Sequence, residues 1–447
     1  MMLRVFLPIL VILGNFASAK ENSVFYVLGG DGIYVIDPVA KRLVAKITNT
    51  TAPGLCTKSN NRVSRNDCWL SEACVVDDAV FVADASGNSV HVIDSKTRKK
   101  IETIPTDPFP IGLHCLLWRK EVWVHSWSLS TFDIIATESR NRTHKAVRAH
   151  IKPGWTHGYM VADKDLNEGK TAFVTHFKNP GIHELNLETK TYTSFRNFSK
   201  YGCTGTMGIA YNAYNKYLFV ECQKGYRSLA LVTQDTSGGI TISWSILGVP
   251  FVSPNGRYVV ILHRNTSIMN IFAIEGSAGI NINVYPRLSI PGGVSHAVFF
   301  PKGNTSDSYN VFVTLDYSNK IAVIDLSLGK KLNISDVKYI ENVGFLDSTT
   351  HGASRNLFIN NKWIISPATR DKAVVIINAE TRKIHGKISG VNEGTFAVWV
   401  PGRPPATTPP ATTPSATTPP ATAPGTSGKV RPSCLIFLVF LYVFVQS

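Results

Sequence analysis

A three-part strand pattern recurs along this chain, and it limits the fold more than any other feature. In "VFVADASGNSVHVIDSKTRKKIETI", residues 80–104, an apolar run breaks at a polar turn. An alternating run then ends in Ile-Asp, and a charged run closes the unit. "VFYVLGGDGIYVIDPVAKRLVAKI" from Val24 and "VFVTLDYSNKIAVIDLSLGKKL" from Val311 repeat it. Weaker copies begin near Val122, Ala172, Tyr217, Arg257 and Trp363. Alternation with a period of two, bounded by turn residues, specifies strands, because successive strand side chains point to opposite faces. No stretch shows a convincing helical apolar period.

Each unit after the first follows one more short strand: "EACVV", "LHCLLW", "HGYMVA", "MGIAYN", "VPFVS", "HAVFF" and "HGASRN". The units therefore have four strands and recur every ~40 to 55 residues, the mark of a β-propeller. The expectation is an all-β chain: a single propeller of YVTN/WD40-like four-stranded blades. Eight blades are counted, with seven allowed if one weak unit is misread. The first unit lacks its leading strand. "TFAVWV" at residues 395–400 supplies it from the far end, so the last strand should complete the first blade and close the ring, which leaves no open sheet edge there.

Residues 1–19, "MMLRVFLPILVILGNFASA", have a charged start at Arg4, an apolar middle and a small-residue end. They read as a secretory signal peptide. Residues 20–401 form the expected propeller ectodomain. Residues 402–425 are rich in Pro and Thr and read as an extended stalk. Residues 426–447 end in the apolar "CLIFLVFLYVFVQS". Small residues, a polar spacer and a terminal apolar tail form a signal for a GPI anchor, attached at Gly425 or Ser427; a short transmembrane anchor is the alternative. The expected location is the extracellular face of the plasma membrane, with release into extracellular matrix as a further option. Nucleic acid is excluded as a partner on that ground, and the membrane is touched through the lipid alone.

The formal charge is +15. Arg4 leaves with the leader, and Lys429 and Arg431 leave with the tail, so the head keeps +12. A basic extracellular surface attracts acidic glycans or acidic protein surfaces. The densest run, "KTRKK" at 96–100, falls on an outer strand edge, where lysines commonly block edge pairing. Removal of Cys434 with the tail leaves six cysteines, an even number that fits disulfides in an exported protein. Cys203 and Cys222 flank two adjacent strands and a turn and are expected to pair. The pairing of Cys56, Cys68, Cys74 and Cys115 stays open. N-x-S/T sequons stand at Asn49, Asn141, Asn197, Asn265, Asn304 and Asn333.

"DPFPIGLHCLLWRKEVWVHSWS" (107–128), "GCTGTMGIAYNAYNKYLFVECQKG" (202–225), "LGVPFVSPNGRYVV" (247–260) and "GKISGVNEGTFAVWV" (386–400) resemble the C-terminal propeller of the follistatin-like (follistatin-related) secreted glycoproteins of the long, immunoglobulin-containing subgroup. The resemblance covers nearly the whole head, most clearly residues 105–400, and includes Cys203 and Cys222. It implies a propeller in an extracellular setting. The chain lacks the Kazal, EF-hand and immunoglobulin modules of that family, so calcium or growth-factor binding by those modules is not implied.

Chemistry-bearing motifs are sparse, and no catalytic residue is assigned. "DKDLNEGKT" (163–171) has Asp163, Asp165 and Asn167 at EF-hand spacing but Glu168 where glycine is required. It also fails as a phosphate loop, with Lys164 in place of glycine. "HELNL" at His183 lacks the second histidine of a zinc protease. Trp118, Trp123, Trp127 and Tyr159 fall in strand patterns and read as blade core.

One series stands out. Alignment of the inner strands at their starts gives Glu72, His114, His157, Met207, Val249, His296, His351 and Thr395. Inner strands line a propeller channel, so His114, His157, His296 and His351 are candidate ligands for a transition metal, since imidazole suits zinc, copper or iron. The alternative makes them strand caps bonded to backbone. The first expectation is a binding module for an extracellular protein or acidic glycan, with no cofactor and with "NTTAPGLCTKSNNRVSRNDCWL" (49–70) as the leading partner surface. A metalloenzyme using the four histidines and a structural matrix component are the alternatives.

Overall fold

The computed structural model describes residues 23–56, 68–129, 131–148, 159–224, 227–234, 240–244, 248–275, 281–303, 307–329, 332–347 and 356–402. It contains eight antiparallel sheets, each a ladder of four consecutive blade strands. Blade 1 is built from Phe396–Val400, Val24–Gly29, Gly32–Asp37 and Arg42–Ile47, from the inside outward. The inner strands of blades 2 to 8 are Leu70–Val76, Pro110–Leu116, Met160–Ala162, Gly205–Asn212, Val249–Val252, Val294–Pro301 and Phe358–Asn360. A short extra strand, Leu288–Ser289, pairs onto Ile268–Glu275 of blade 6.

The expected closure is present. Phe396–Val400 pairs antiparallel with Val24–Gly29, with Val24 opposite Val400 and Leu28 opposite Phe396. Among the described residues the blades number eight, and the cysteine pairs are Cys56–Cys68, Cys74–Cys115 and Cys203–Cys222. The second of these ties the inner strands of blades 2 and 3. Among the described residues, no helix is long and apolar enough to cross a membrane.

The apolar runs in the second strands are continuous because each blade is buried on both faces. In blade 2, Val80 and Val82 pack with Tyr26 and Val35 of blade 1. Their neighbour Phe81 points the other way and packs with Val122 and Val124 of blade 3. Trp123 and Phe132 of blade 3 meet Ala172 and Val174 of blade 4, and Phe173 meets Leu218 and Val220 of blade 5. Phe219 then meets Val259 and Phe272, Val260 meets Val311 and Val313, and Phe312 meets Ile364 and Val375. The cycle ends where Ile365 and Ile376 of blade 8 pack on Phe25 and Tyr34 of blade 1. Burial of a large side chain in such a core contributes about 1.5–3 kcal/mol.

The Ile-Asp signature has a mechanical cause. Asp37 Oδ1 accepts the backbone N–H groups of Val39 and Ala40, and Asp94 Oδ1 those of Lys96 and Thr97. Asn186 does the same in blade 4. These side chains reproduce a backbone turn and end the third strand. The lysine run follows: Lys96 to Lys99 make the turn, and Lys100 opens the outer strand Lys100–Pro105.

Strands alternate in direction within each blade. The turns between second and third strands and the links between blades therefore open on one face, called here the loop face. Inner strands start there.

Candidate functional site

The inner strands carry bulges that set which side chains share a level. In blade 2 the ladder runs from Leu70 opposite Asp84 to Ala73 opposite Val82, skipping Ser71 and Glu72. In blade 5 it skips Met207 and Gly208, and in blade 7 Ser295 and His296. Blade 3 skips only Ile111, and Leu113 pairs with Val124. Since Val82, Val124, Val220 and Val313 hold equivalent places in their repeats, Glu72, Gly112, Gly208 and His296 form one level. A bulge re-aims the side chain it carries.

The ladder separates two of the four histidines aligned from the sequence. His114 lies two residues beyond Gly112, paired in regular register with Trp123. Its counterparts are Cys74 and Val298, which pack between blades, and its ring sits 6.5 Å from that of Phe132. His114 and His296 therefore do not share a ring. A residue count from each strand start misses the difference between a bulge of one residue and a bulge of two. Met207 likewise stands one place off the level. His157 and His351 lie outside the described residues.

His296 is held by Leu357, whose N–H donates to Nδ1 at 3.3 Å, and its ring lies 4.9 Å from that of Phe251. Burial pushes both His114 and His296 down to about 4, so both imidazoles are neutral at physiological pH. Glu72 Oε2 accepts the Leu113 N–H at 2.7 Å. Burial nonetheless pushes its carboxyl up to about 7. Glu221 accepts the Gly208 N–H at 3.2 Å. Tyr159 is pushed up to about 12 by burial and by the charges of Glu221 and Glu72.

Two polar clusters between strands escaped the sequence reading. In blade 2, His91 Nε2 stands 3.2 Å from Asp84 Oδ2, and its Nδ1 stands 3.0 Å from Thr103 Oγ1. In blade 3, Asp133 occupies the place of His91 and meets Asp107 and His144. The available signal was a titratable residue inside an apolar strand, "SVHVID" and "TFDIIA". His183 fills the same place in blade 4, where Asn179 Nδ2 lies 3.1 Å from its Nε2.

On the loop face, Tyr317 is 62% exposed. Gly293, with φ +79°, lies under its ring; a Cβ there would come within 2.6 Å of the ring carbons. The Arg264 guanidinium sits 5.3 Å from the ring centroid. Arg264 Nε is fixed 2.8 Å from Oδ2 of the buried Asp316, and the Ser295 hydroxyl donates to Oδ1 at 2.7 Å. Phe345 is also exposed, with the Arg370 guanidinium 5.7 Å from its ring centre and the Arg370 N–H donating to its carbonyl.

The 49–70 segment links blades 1 and 2 on this face. Ala52 and Leu55 are buried, and Cys56–Cys68 ties its ends; residues 57–67 lie outside the described residues. Asn49, Asn141, Asn197, Asn265 and Asn333 are exposed, and Asn304 lies outside the described residues.

No protein-family model matches this chain. Solved structures are similar to it in fold. The apo form of AztD from Citrobacter koseri matches with a TM-score of 0.57 at 13% identity, over 86% of this chain and 99% of that one. Dihydro-heme d1 dehydrogenase NirN in complex with DHE gives 0.59 at 12% identity, over 84% and 75%. Hydrazine synthase of Kuenenia stuttgartiensis gives 0.50 at 14%, over 71% and 98%. Likeness at this level is one of architecture, and propellers host unrelated activities.

Proposed function

We propose that the protein is an extracellular binding module whose loop face takes an acidic glycan. The observation that carries this reading is Tyr317: an exposed ring laid on the backbone of Gly293 and flanked by an arginine that a buried aspartate holds in place. A fixed ring offers a stacking surface at little entropic cost, and a fixed guanidinium matches carboxylate or sulfate in a bidentate fork. Phe345 with Arg370 repeats the pairing one blade further on. The net positive charge adds long-range attraction.

The extracellular address and the GPI tether belong to the same proposal. They rest on residues 1–19 and 426–447 and on the Pro/Thr stalk at 402–425. The likeness of residues 105–400 to follistatin-related propellers supports the same setting.

The test is binding of the full chain to immobilised heparin and to an uncharged polysaccharide across a salt series. Retention on heparin that falls with salt, and that Arg264→Ala and Tyr317→Ala each weaken about tenfold, supports the reading; that loss is ~1.4 kcal/mol. Equal binding of both variants sinks it. Asn265 is a sequon beside Arg264, and a glycan on it would stand at the edge of this patch, so the series includes Asn265→Gln. Retention by an acidic protein partner but not by heparin would replace the glycan with a protein.

A further inference from the structure

Asp107, Asp133 and His144 come from three separate places: the link into blade 3, its third strand Thr131–Ala136, and its outer strand Arg142–Arg148. We infer that these three side chains bind a divalent transition ion of the zinc class, with a further coordination position open to solvent.

The spacing fits. One ligand atom from each residue lies within 4.8 Å of the other two. His144 Nδ1 stands 3.1 Å from Asp133 Oδ1 and 3.4 Å from Asp107 Oδ1. Bonds of about 2.0–2.2 Å at a tetrahedral angle place neighbouring ligand atoms ~3.3–3.6 Å apart. Two carboxylates and one imidazole suit Zn²⁺, and Mn²⁺ next.

The charges fit as well. Asp133 is 1% exposed and Asp107 3%. Arg142 Nη1 stands 3.7 Å from Asp133 Oδ2, one full cation against two buried carboxylates. Buried charge is costly unless compensated, and a dication supplies what the arginine leaves over.

The outer shell is already in place. The Thr131 hydroxyl donates to Asp107 Oδ2. The Asp107 N–H donates to Asp133 Oδ2 at 2.8 Å, and the Lys145 N–H to Asp133 Oδ1 at 2.7 Å. Such bonds orient ligating carboxylates and leave their remaining lone pairs turned toward His144. His144 keeps 45% of its side chain exposed, which gives an ion a way in.

The backbone of blade 3 departs from its siblings at this point. In blades 1, 2, 4, 5 and 8 the outer ladder slips by one residue. In blade 3 it passes from Phe132 opposite Val147 to Ile134 opposite Thr143, a slip of two. Residues 144–146 thus stand opposite Asp133, with Lys145 at φ +47°. That bulge brings the His144 ring and the Lys145 N–H onto one carboxylate.

Without a metal, the same three side chains would be held together by their hydrogen bonds alone. The test uses the full chain without a polyhistidine tag, stripped with EDTA and titrated with ZnCl₂ and, in parallel, MnCl₂. Expected are about one ion per chain by elemental analysis, a raised melting temperature, and an affinity that His144→Ala lowers about a hundredfold. Asp107→Asn is the second variant, because it keeps the shape and the hydrogen-bond network. His114→Leu and His296→Gln keep the ion. Uptake of neither ion, or equal uptake by His144→Ala, overturns the site; loss on His114→Leu or His296→Gln reassigns the ion to other histidines and overturns it too.

Discussion

Asp84 Oδ2 lies 3.2 Å from His91 Nε2, with both side chains wholly buried. Asp84 also accepts the N–H of Gly87 at 2.7 Å and that of Cys56 at 3.3 Å, while His91 passes on to Thr103. One carboxylate thus joins a turn of blade 2, its third and fourth strands, and the disulfide loop from blade 1. Asp84→Ala leaves those donors unsatisfied in the core and should cost about 3–5 kcal/mol, read as a lower urea midpoint at unchanged slope. A change under 1 kcal/mol would show that water replaces the carboxylate.

The enclosed titratable groups give opposite pH dependences. Burial raises Glu72 to about 7 in the folded chain from its ordinary value of 4.5. Between those values the folded chain holds the proton that the unfolded chain has lost, so stability falls as pH rises through the window. Glu72→Gln keeps an acceptor for Leu113 and should raise the melting temperature at pH 8 but not at pH 4.5. The effect is on the order of 2–3 kcal/mol. The same shift at both pH values would contradict this.

His114 and His296 act in the other direction. Each is lowered to about 4 from 6.5, so the unfolded chain binds more protons between those values and stability falls as pH drops through the window. His114→Leu and His296→Gln should flatten the acid limb of a melting-temperature profile between pH 6.5 and 4. An unchanged acid limb in the double variant would locate acid sensitivity elsewhere.

Ring closure rests on five residues. Without Phe396–Val400, blade 1 loses its inner strand, and Val24–Gly29 exposes a free edge. A chain ended at Gly394 should lose its cooperative thermal transition, followed by calorimetry. Retention of a single sharp transition at the same temperature would refute closure as a stability element.

The disulfides should differ in weight. Cys74–Cys115 spans 41 residues and Cys203–Cys222 spans 19. Loop-closure entropy assigns them about 4 and about 3 kcal/mol. The paired serine variants should show that order in urea midpoints, and a reversed order would mean that the native contacts around Cys203 outweigh chain entropy.

The sequence alone determined the architecture. Strand alternation, the Ile-Asp turns and the displaced strand "TFAVWV" are local signals, and each appears where the period placed it. The Cys203–Cys222 pair was legible because a hairpin brings its two ends together. The pairings of Cys56, Cys68, Cys74 and Cys115 were not, since they depend on how the blade 1–2 link folds back and on how two inner strands meet. Only the tertiary structure decided the level of His114, because a bulge of one residue instead of two shifts a side chain from the channel to a blade interface and leaves no mark in composition. It also decided the company of Asp133. Asp107 and His144 are distant in sequence and meet it only through a blade link and a two-residue slip in the outer ladder. Side-chain chemistry at this depth is set by which strands become neighbours, and a chain read residue by residue does not carry that distance.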